Sequence, residues 1–361
     1  MESPEEVKNN FEDILKAAVE LKVTDVHIQS GEPVLFRNGG LLYNPFKEEV
    51  ILTDSHILNL ESSIFNLVQK QRYDDAHSLD MSYELEGSRF RVNFAQERGK
   101  PYLAIRVIPN KIREIKDIGF PNETWKDIVG LERGLVLVTG VTGSGKSTTL
   151  ASLIQEINRN SQENIITLED PVEYIHHRIK SSVKQRELYR DVLSFADGVE
   201  QAMRQDPDII LIGEIRDFRT ASSALIAAET GHLVFSTLHT KDAKSTISRF
   251  VDLFPVQDKD QVRAALAENL SYLLCQQLVP YEREGKRAVA MEILKNNGAI
   301  KNLIRSDQVH QISTAIQTGS REGMVTMDKS LENLCRAGRI TPDNAIKYAI
   351  DREAIVLALS R

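Results

Sequence analysis

The chain has 361 residues, 41% of them apolar and 27% charged, enough for two domains with proper cores and ordinary for a globular protein. A net charge of −7, 6% aromatic residues and a single tryptophan argue against a protein that lives on nucleic acid. Two cysteines, Cys275 and Cys335, with no C-x-x-C pair, exclude a disulfide scaffold and a zinc knuckle and read as reduced thiols. The N-terminal MESPEEVKNN is acidic and has no apolar core, so no secretory leader is expected there. The apolar runs are too short to cross a bilayer, so contact with a membrane is expected only through a partner.

Residues 8–22 place Phe11, Ile14, Leu15, Ala18 and Leu21 at helical spacing. Strands are expected over 23–29 and over 34–37, the latter ending at the turn Asn38-Gly39-Gly40, followed by a helical stretch over 55–71. Two stronger strands, 89–96 and 102–108, flank the turn Glu97-Arg98-Gly99-Lys100. Residues 1–108 therefore read as a small α+β domain. The stretch 109–122, with two prolines and little periodicity, reads as a linker. From 123 to 361 the rhythm is that of an α/β domain. Runs 135–139, 164–168, 208–212 and 232–237 are apolar enough for strands covered on both faces, with helices between them, one over 219–230 closed by Gly231. Such alternation implies a parallel sheet. Beyond residue 255 the expectation is helical: one long helix over 258–278, then short ones over 298–361, with Thr341-Pro342 as N-cap and first helical residue.

Residues 140–147 read Gly-Val-Thr-Gly-Ser-Gly-Lys-Ser directly after the first of those strands and before a helix, the G-x-x-x-x-G-K-[ST] pattern in its required context. Gly140, Thr142, Gly143, Ser144, Gly145, Lys146, Ser147 and Thr148 are the candidate nucleotide-binding residues. The glycines let backbone N–H groups converge on phosphate, Lys146 reaches the outer phosphates, and the Ser147 hydroxyl is placed to ligate Mg²⁺. ATP with Mg²⁺ is the expected ligand, and a P-loop on its first strand points to a RecA-like core. The run Asp208–Glu214 delivers a carboxylate at a strand end, where Glu214 would orient the attacking water. Gly213 stands where a Walker B aspartate is usual, so the metal needs a carboxylate from elsewhere. Glu169, Asp170 and Glu173 cluster past the second strand; Glu169 is the favoured metal neighbour, although capping or salt bridging could use any of the three. His239 ends the fourth strand, where a γ-phosphate sensor would reach, and His232 begins it. Arg89, Arg91, Arg98 and Arg106 on the N-terminal hairpin are candidate donors of positive charge, and solvated arginines on a sheet face are the simpler reading.

The sets GVTGSGKST, IITLEDPVEY, AMRQDPDIILIGEIRD and TGHLVFSTLHT resemble the Walker A, Asp-box, Walker B and His-box of the type II/IV secretion ATPase superfamily. Within it the chain is most similar to the type IV pilus retraction ATPases over nearly its whole length. TDVHIQSGEPVLFRNGG and SRFRVNFAQERGKPYLAIRVIP resemble that family's PAS-like N-terminal domain, and GAIKNLIRSDQVHQISTAIQTG its C-terminal retraction signature. The resemblance implies a ring-shaped homohexamer with active sites between domains, to which Arg91 and Arg106 contribute, with Glu214 catalytic and His232 and His239 as the His-box pair. It further implies a motor for pilus retraction and twitching motility at the cytoplasmic face of the inner membrane. Its partners there would be a membrane platform protein and a paralogous retraction ATPase. Lys301 and Ser306 depart from the arginine and glutamate usual in the signature. The four-cysteine zinc element common in the extension and secretion ATPases is missing.

Overall fold

The computed structural model describes residues 4–108, 111–281 and 287–360, with side chains from residue 10. It divides into two compact units. One takes the described residues up to Lys111 together with Glu169–Ile175 and Gln185–Ser194. The other takes Ile112–Leu168, His176–Lys184 and the described residues from Phe195 onward.

The first unit runs α1 (Pro4–Glu20), β1 (Asp25–Gln29), β2 (Leu35–Asn38), β3 (Leu41–Tyr43), α2 (Asp54–Ile64), α3 (Leu67–Ala76), β4 (Ser78–Leu85), β5 (Ser88–Glu97) and β6 (Lys100–Ile108). Its antiparallel sheet has the order β3-β2-β1-β6-β5-β4. Alternation sorts the side chains by face. Val26, Ile28, Phe90, Val92, Phe94, Leu103 and Ile105 pack with Phe11 and Leu15 of α1 and with Ile57 and Leu60 of α2, whereas Asp25, Arg91 and Arg106 fall on the alternate positions. The helix expected over 55–71 is two helices. Asn66 breaks it by capping α3: its side chain accepts the Gln69 N–H at 2.8 Å, and the Gln69 side chain accepts the Asn66 N–H at 3.0 Å.

The second unit opens with α4 (Thr124–Val129), β7 (Gly134–Thr139), α5 (Lys146–Asn160) and β8 (Asn164–Glu169); the last residue of β8 and the second half of β9 (Ser182–Glu187) are counted with the first unit. It continues through α6 (Phe195–Ala202), β10 (Ile209–Ile212), α7 (Phe218–Glu229), β11 (Leu233–Leu238), α8 (Ala243–Asp252) and α9 (Lys259–Asn269). A β12 (Leu270–Pro280) and β13 (Arg287–Lys295) hairpin follows, then α10 (Gly298–Arg305), α11 (Ile312–Thr318), α12 (Met327–Arg336), α13 (Pro342–Tyr348) and α14 (Arg352–Leu359). The seven-stranded sheet has the order β13-β12-β7-β11-β10-β8-β9. β12, β7, β11, β10 and β8 pair in parallel, and β13 pairs antiparallel with β12. Every residue of β7, β10 and β11 is buried, as apolar strands covered on both faces must be.

The long helix expected over 258–278 is a correction. It ends at Asn269, and the next eleven residues form β12. The apolar run Leu270–Val279 suits either element by pattern; what decides is its pairing with β7 on one side and β13 on the other, which extends the buried sheet.

That hairpin also buries a carboxylate. Glu292 of β13 accepts the Ala243 N–H at 2.8 Å and the Met327 N–H at 3.4 Å, tying the first residues of α8 and α12 to the sheet. Burial pushes its pKa from 4.5 up to about 7. An acid that holds its proton more tightly when folded adds stability that is complete below the unfolded value and is lost as pH rises through the folded one. The whole swing is about 3 kcal/mol. Glu292→Gln, which cannot titrate, is therefore expected to gain on the parent by up to about 3 kcal/mol between about pH 5 and pH 8. Denaturant unfolding at several pH values checks this, and a constant gap would mean that Glu292 does not titrate in that window.

Candidate active site

β7 runs straight into the glycine-rich loop. Gly140, Gly143 and Gly145 have φ of 147°, 76° and 92°, a region that side chains with a Cβ rarely enter. A Cβ on Gly140 would also overlap the Gln276 carbonyl and the Ser144 Oγ. The loop closes with the Ser144 N–H donating to the Val141 carbonyl at 3.1 Å. α5 starts at Lys146, and no side chain caps it at Gly145, which leaves its positive end for an anion. Thr142, Gly143 and Ser147 are exposed, Lys146 and Thr148 half-buried, and Ser144 buried. The Lys146 ammonium folds over the loop and donates to the carbonyls of Gly140 at 3.0 Å and Val141 at 3.3 Å.

Three parallel strands deliver further groups to the same C-terminal edge of the sheet, where ligands bind in α/β folds. β10 ends at Ile212, and Gly213 continues the pairing: its N–H donates to the Leu168 carbonyl at 2.7 Å, and its carbonyl accepts the Thr237 hydroxyl at 2.7 Å. Glu214 follows, largely buried, with one carboxylate oxygen 3.1 Å from His239 Nε2 and the other 2.8 Å from the Arg216 guanidinium. Glu214 and His239, both expected at the site, are thus brought into contact. Arg216 was not foreseen, although it lies two residues beyond Glu214 in the same motif.

His232 is not brought there. It precedes β11 while His239 follows it, so roughly 20 Å of strand separates the two. The His232 ring instead contacts the Ala227 carbonyl at 2.9 Å and the Thr230 hydroxyl at 3.2 Å, at the end of α7.

Glu169 closes β8; its side chain accepts from Gln185 Nε2 at 3.1 Å, and its carbonyl accepts the Leu188 N–H at 2.9 Å. The acidic stretch it begins belongs to the first unit. There Glu187, buried, accepts the Ser82 hydroxyl at 2.6 Å and the Val172 N–H at 3.2 Å, and Arg89 donates to the Val172 carbonyl at 3.0 Å. Arg91 and Arg106 are direct partners across β5 and β6. Each is held by an acid. Arg91 forks onto Asp80 at 3.0 and 3.3 Å, with Glu173 at 3.9 Å, and Arg106 donates to Asp25 at 3.0 Å. Arg98 is exposed at its turn, 3.9 Å from Glu97. In the C-terminal signature, Lys301 and Arg305 of α10 both bond Glu268 of α9, Lys301 at 2.9 Å, and Ser306 closes the helix.

A family model for type II/IV secretion system proteins matches residues 2–339. The chain belongs to that family. Among the family's proteins it is 43% identical over 298 residues to the twitching motility protein of Neisseria gonorrhoeae, covering 82% of this chain and 79% of that one. It is 42% identical over 339 residues to the type IV pilus retraction ATPase PilT of Pseudomonas aeruginosa, covering 93% of this chain and 97% of the relative. A crystal structure of the pilus retraction motor PilT with bound ADP superposes with a TM-score of 0.85 at 39% identity, over 95% of this chain and 98% of that one. The two-sheet α/β architecture is therefore that of a retraction-type secretion ATPase.

Among the described residues no group of three or more His, Cys, Asp or Glu is placed to hold a metal ion. Among the described residues no helix is long and apolar enough to cross a membrane.

Proposed function

We propose that this chain is the ATP-hydrolysing motor subunit that powers retraction of type IV pili. The observation that carries the reading is the placement of the Lys146 loop and the Glu214–His239 pair after neighbouring parallel strands, at the same edge of one sheet, in a chain alike over nearly its whole length to retraction ATPases. ATP is the substrate. Its outer phosphates take over the Lys146 ammonium from the carbonyls it now holds, and Gly140 to Thr148 supply the cradle. Ser147 and Glu169 would hold Mg²⁺, which when bound neutralises charge on the phosphate oxygens. Glu214 polarises the attacking water, with His239 and Arg216 fixing the direction of its carboxylate. Residues 1–108, joined through 109–122 to the ATPase domain 123–361, carry Arg91 and Arg106 to the nucleotide of a neighbouring subunit in a homohexamer. His232, at the far end of β11, would reach a nucleotide only on a neighbour. Hydrolysis then moves a platform protein in the inner membrane from the cytoplasmic side and depolymerises pilin, alongside a paralogous ATPase.

The test is ATPase rate against protein concentration, with mass by light scattering on the same samples. A rate per subunit that rises as the chain assembles, and that DNA leaves unchanged, is the expected result. A constant rate from a stable monomer would remove the composite site.

A further inference from the structure

β12 pairs with β7 up to Cys275 opposite Thr139, so the next residue, Gln276, stands level with the first residue of the loop. Gln276 is 1% exposed, and both ends of its amide are engaged. Nε2 donates to the Ser144 carbonyl at 2.7 Å, and Oε1 accepts the Thr149 hydroxyl at 2.9 Å. A carbonyl only accepts, so Ser144 fixes which end of the amide is nitrogen. The Thr149 hydroxyl must then donate to the oxygen. The rest of Gln276 lies as close: its main-chain carbonyl occupies the space a Cβ on Gly140 would need, and its side-chain Nε2 would be 3.2 Å from a Cβ on Gly145.

A buried amide is costly unless matched at both ends. Here the matched partners are the descending limb of the phosphate loop and the first turn of α5. We propose that Gln276 is a positioning residue of the nucleotide site: it clamps the loop to α5 and keeps its N–H groups converging before phosphate arrives. The inference rests on residues 140–147 being the nucleotide cradle. Gln276 touches no nucleotide atom in this scheme; it acts through Ser144 and Thr149. Loss of the clamp makes binding bear the ordering of the loop, so affinity and KM suffer more than kcat at saturation.

The experiment compares Gln276→Glu, Gln276→Met, Thr149→Val and Lys146→Ala in the full chain. ADP affinity is read by calorimetry, kcat and KM from ATPase rates over a range of ATP concentrations, and stability from melting without nucleotide. Gln276→Glu sets a carboxylate oxygen against the Ser144 carbonyl and is expected to weaken ADP at least about tenfold, about 1.4 kcal/mol. Gln276→Met should fall between it and the parent, Thr149→Val should weaken ADP about threefold by freeing the amide, and kcat should change less than KM in all three. ADP affinity within twofold of the parent in both Gln276 variants, with Lys146→Ala impaired, overturns the inference, as does a lowered melting temperature with unchanged affinity. If Lys146→Ala binds ADP like the parent, the cradle reading has failed and the inference falls with it. Should neither Gln276 variant fold, Thr149→Val decides: parental affinity overturns the clamp, and weakened affinity supports it.

Discussion

Glu214→Gln is expected to lower ATP turnover at least about 100-fold, about 3 kcal/mol of barrier, while nucleotide affinity stays within a few-fold of the parent. The substitution keeps the shape of the side chain and removes the charge that would polarise water. It also leaves the Arg216 guanidinium facing an amide. Arg216 is well exposed, so that loss weighs little on stability. Stability and affinity therefore serve as controls, and the rate reports the chemistry alone. His239→Ala should cost less, about tenfold, if the ring only directs the carboxylate. Near-parental turnover in Glu214→Gln, measured on assembled protein with bound nucleotide verified, would end the assignment of Glu214 as the residue that activates water.

The parts of the site visible in the sequence are those whose chemistry is local. Leu135–Val138 followed by the glycine-rich octet specifies a buried strand, a loop needing positive φ and a helix start within a dozen residues, and the structure has all three. The Asp208–Glu214 run is similar: a strand too apolar to face water, ending in an acid. Where pattern was ambiguous, tertiary pairing decided. Leu270–Val279 became a strand because β7 and β13 flank it. β4 alternates Leu79, Met81, Tyr83 and Leu85 with polar residues, the two-residue period of a half-buried strand. β13 lies beyond the point where a helical rhythm was expected. Gln276 and Glu292 illustrate a deeper limit. Each is a polar residue in an apolar strand, and its meaning depends on which backbone groups end up beside it. Those groups lie 132 residues away for Gln276, and 49 and 35 away for Glu292. No spacing rule reaches that far.

The hairpin arginines carry the second large expected effect. On composition they were ordinary surface charges; the register makes Arg91 and Arg106 direct cross-strand neighbours. Like charges in that position destabilise a sheet by roughly 0.2–1 kcal/mol, and the flanking acids Asp80 and Asp25 offset this one. Asp80 engages Arg91 through two nitrogens, the forked geometry in which guanidinium also takes phosphate. An arginine so poised can exchange a carboxylate for a phosphate of like shape. Removing either side chain relieves the repulsion as it breaks an ion pair, so Arg91→Ala and Arg106→Ala are each expected to keep stability within about 1 kcal/mol of the parent. If the arginines act on a neighbouring nucleotide as proposed, turnover in the assembled protein should fall about 10³-fold or more for the residue that meets the transferring phosphoryl group. Arg91→Lys should recover little of it, since an ammonium cannot make the fork. Parental rates in both alanine variants would leave the pair a purely structural feature of the sheet, and the positive charge that phosphoryl transfer requires would have to come from Lys146, the metal and other cations near the site such as Arg216.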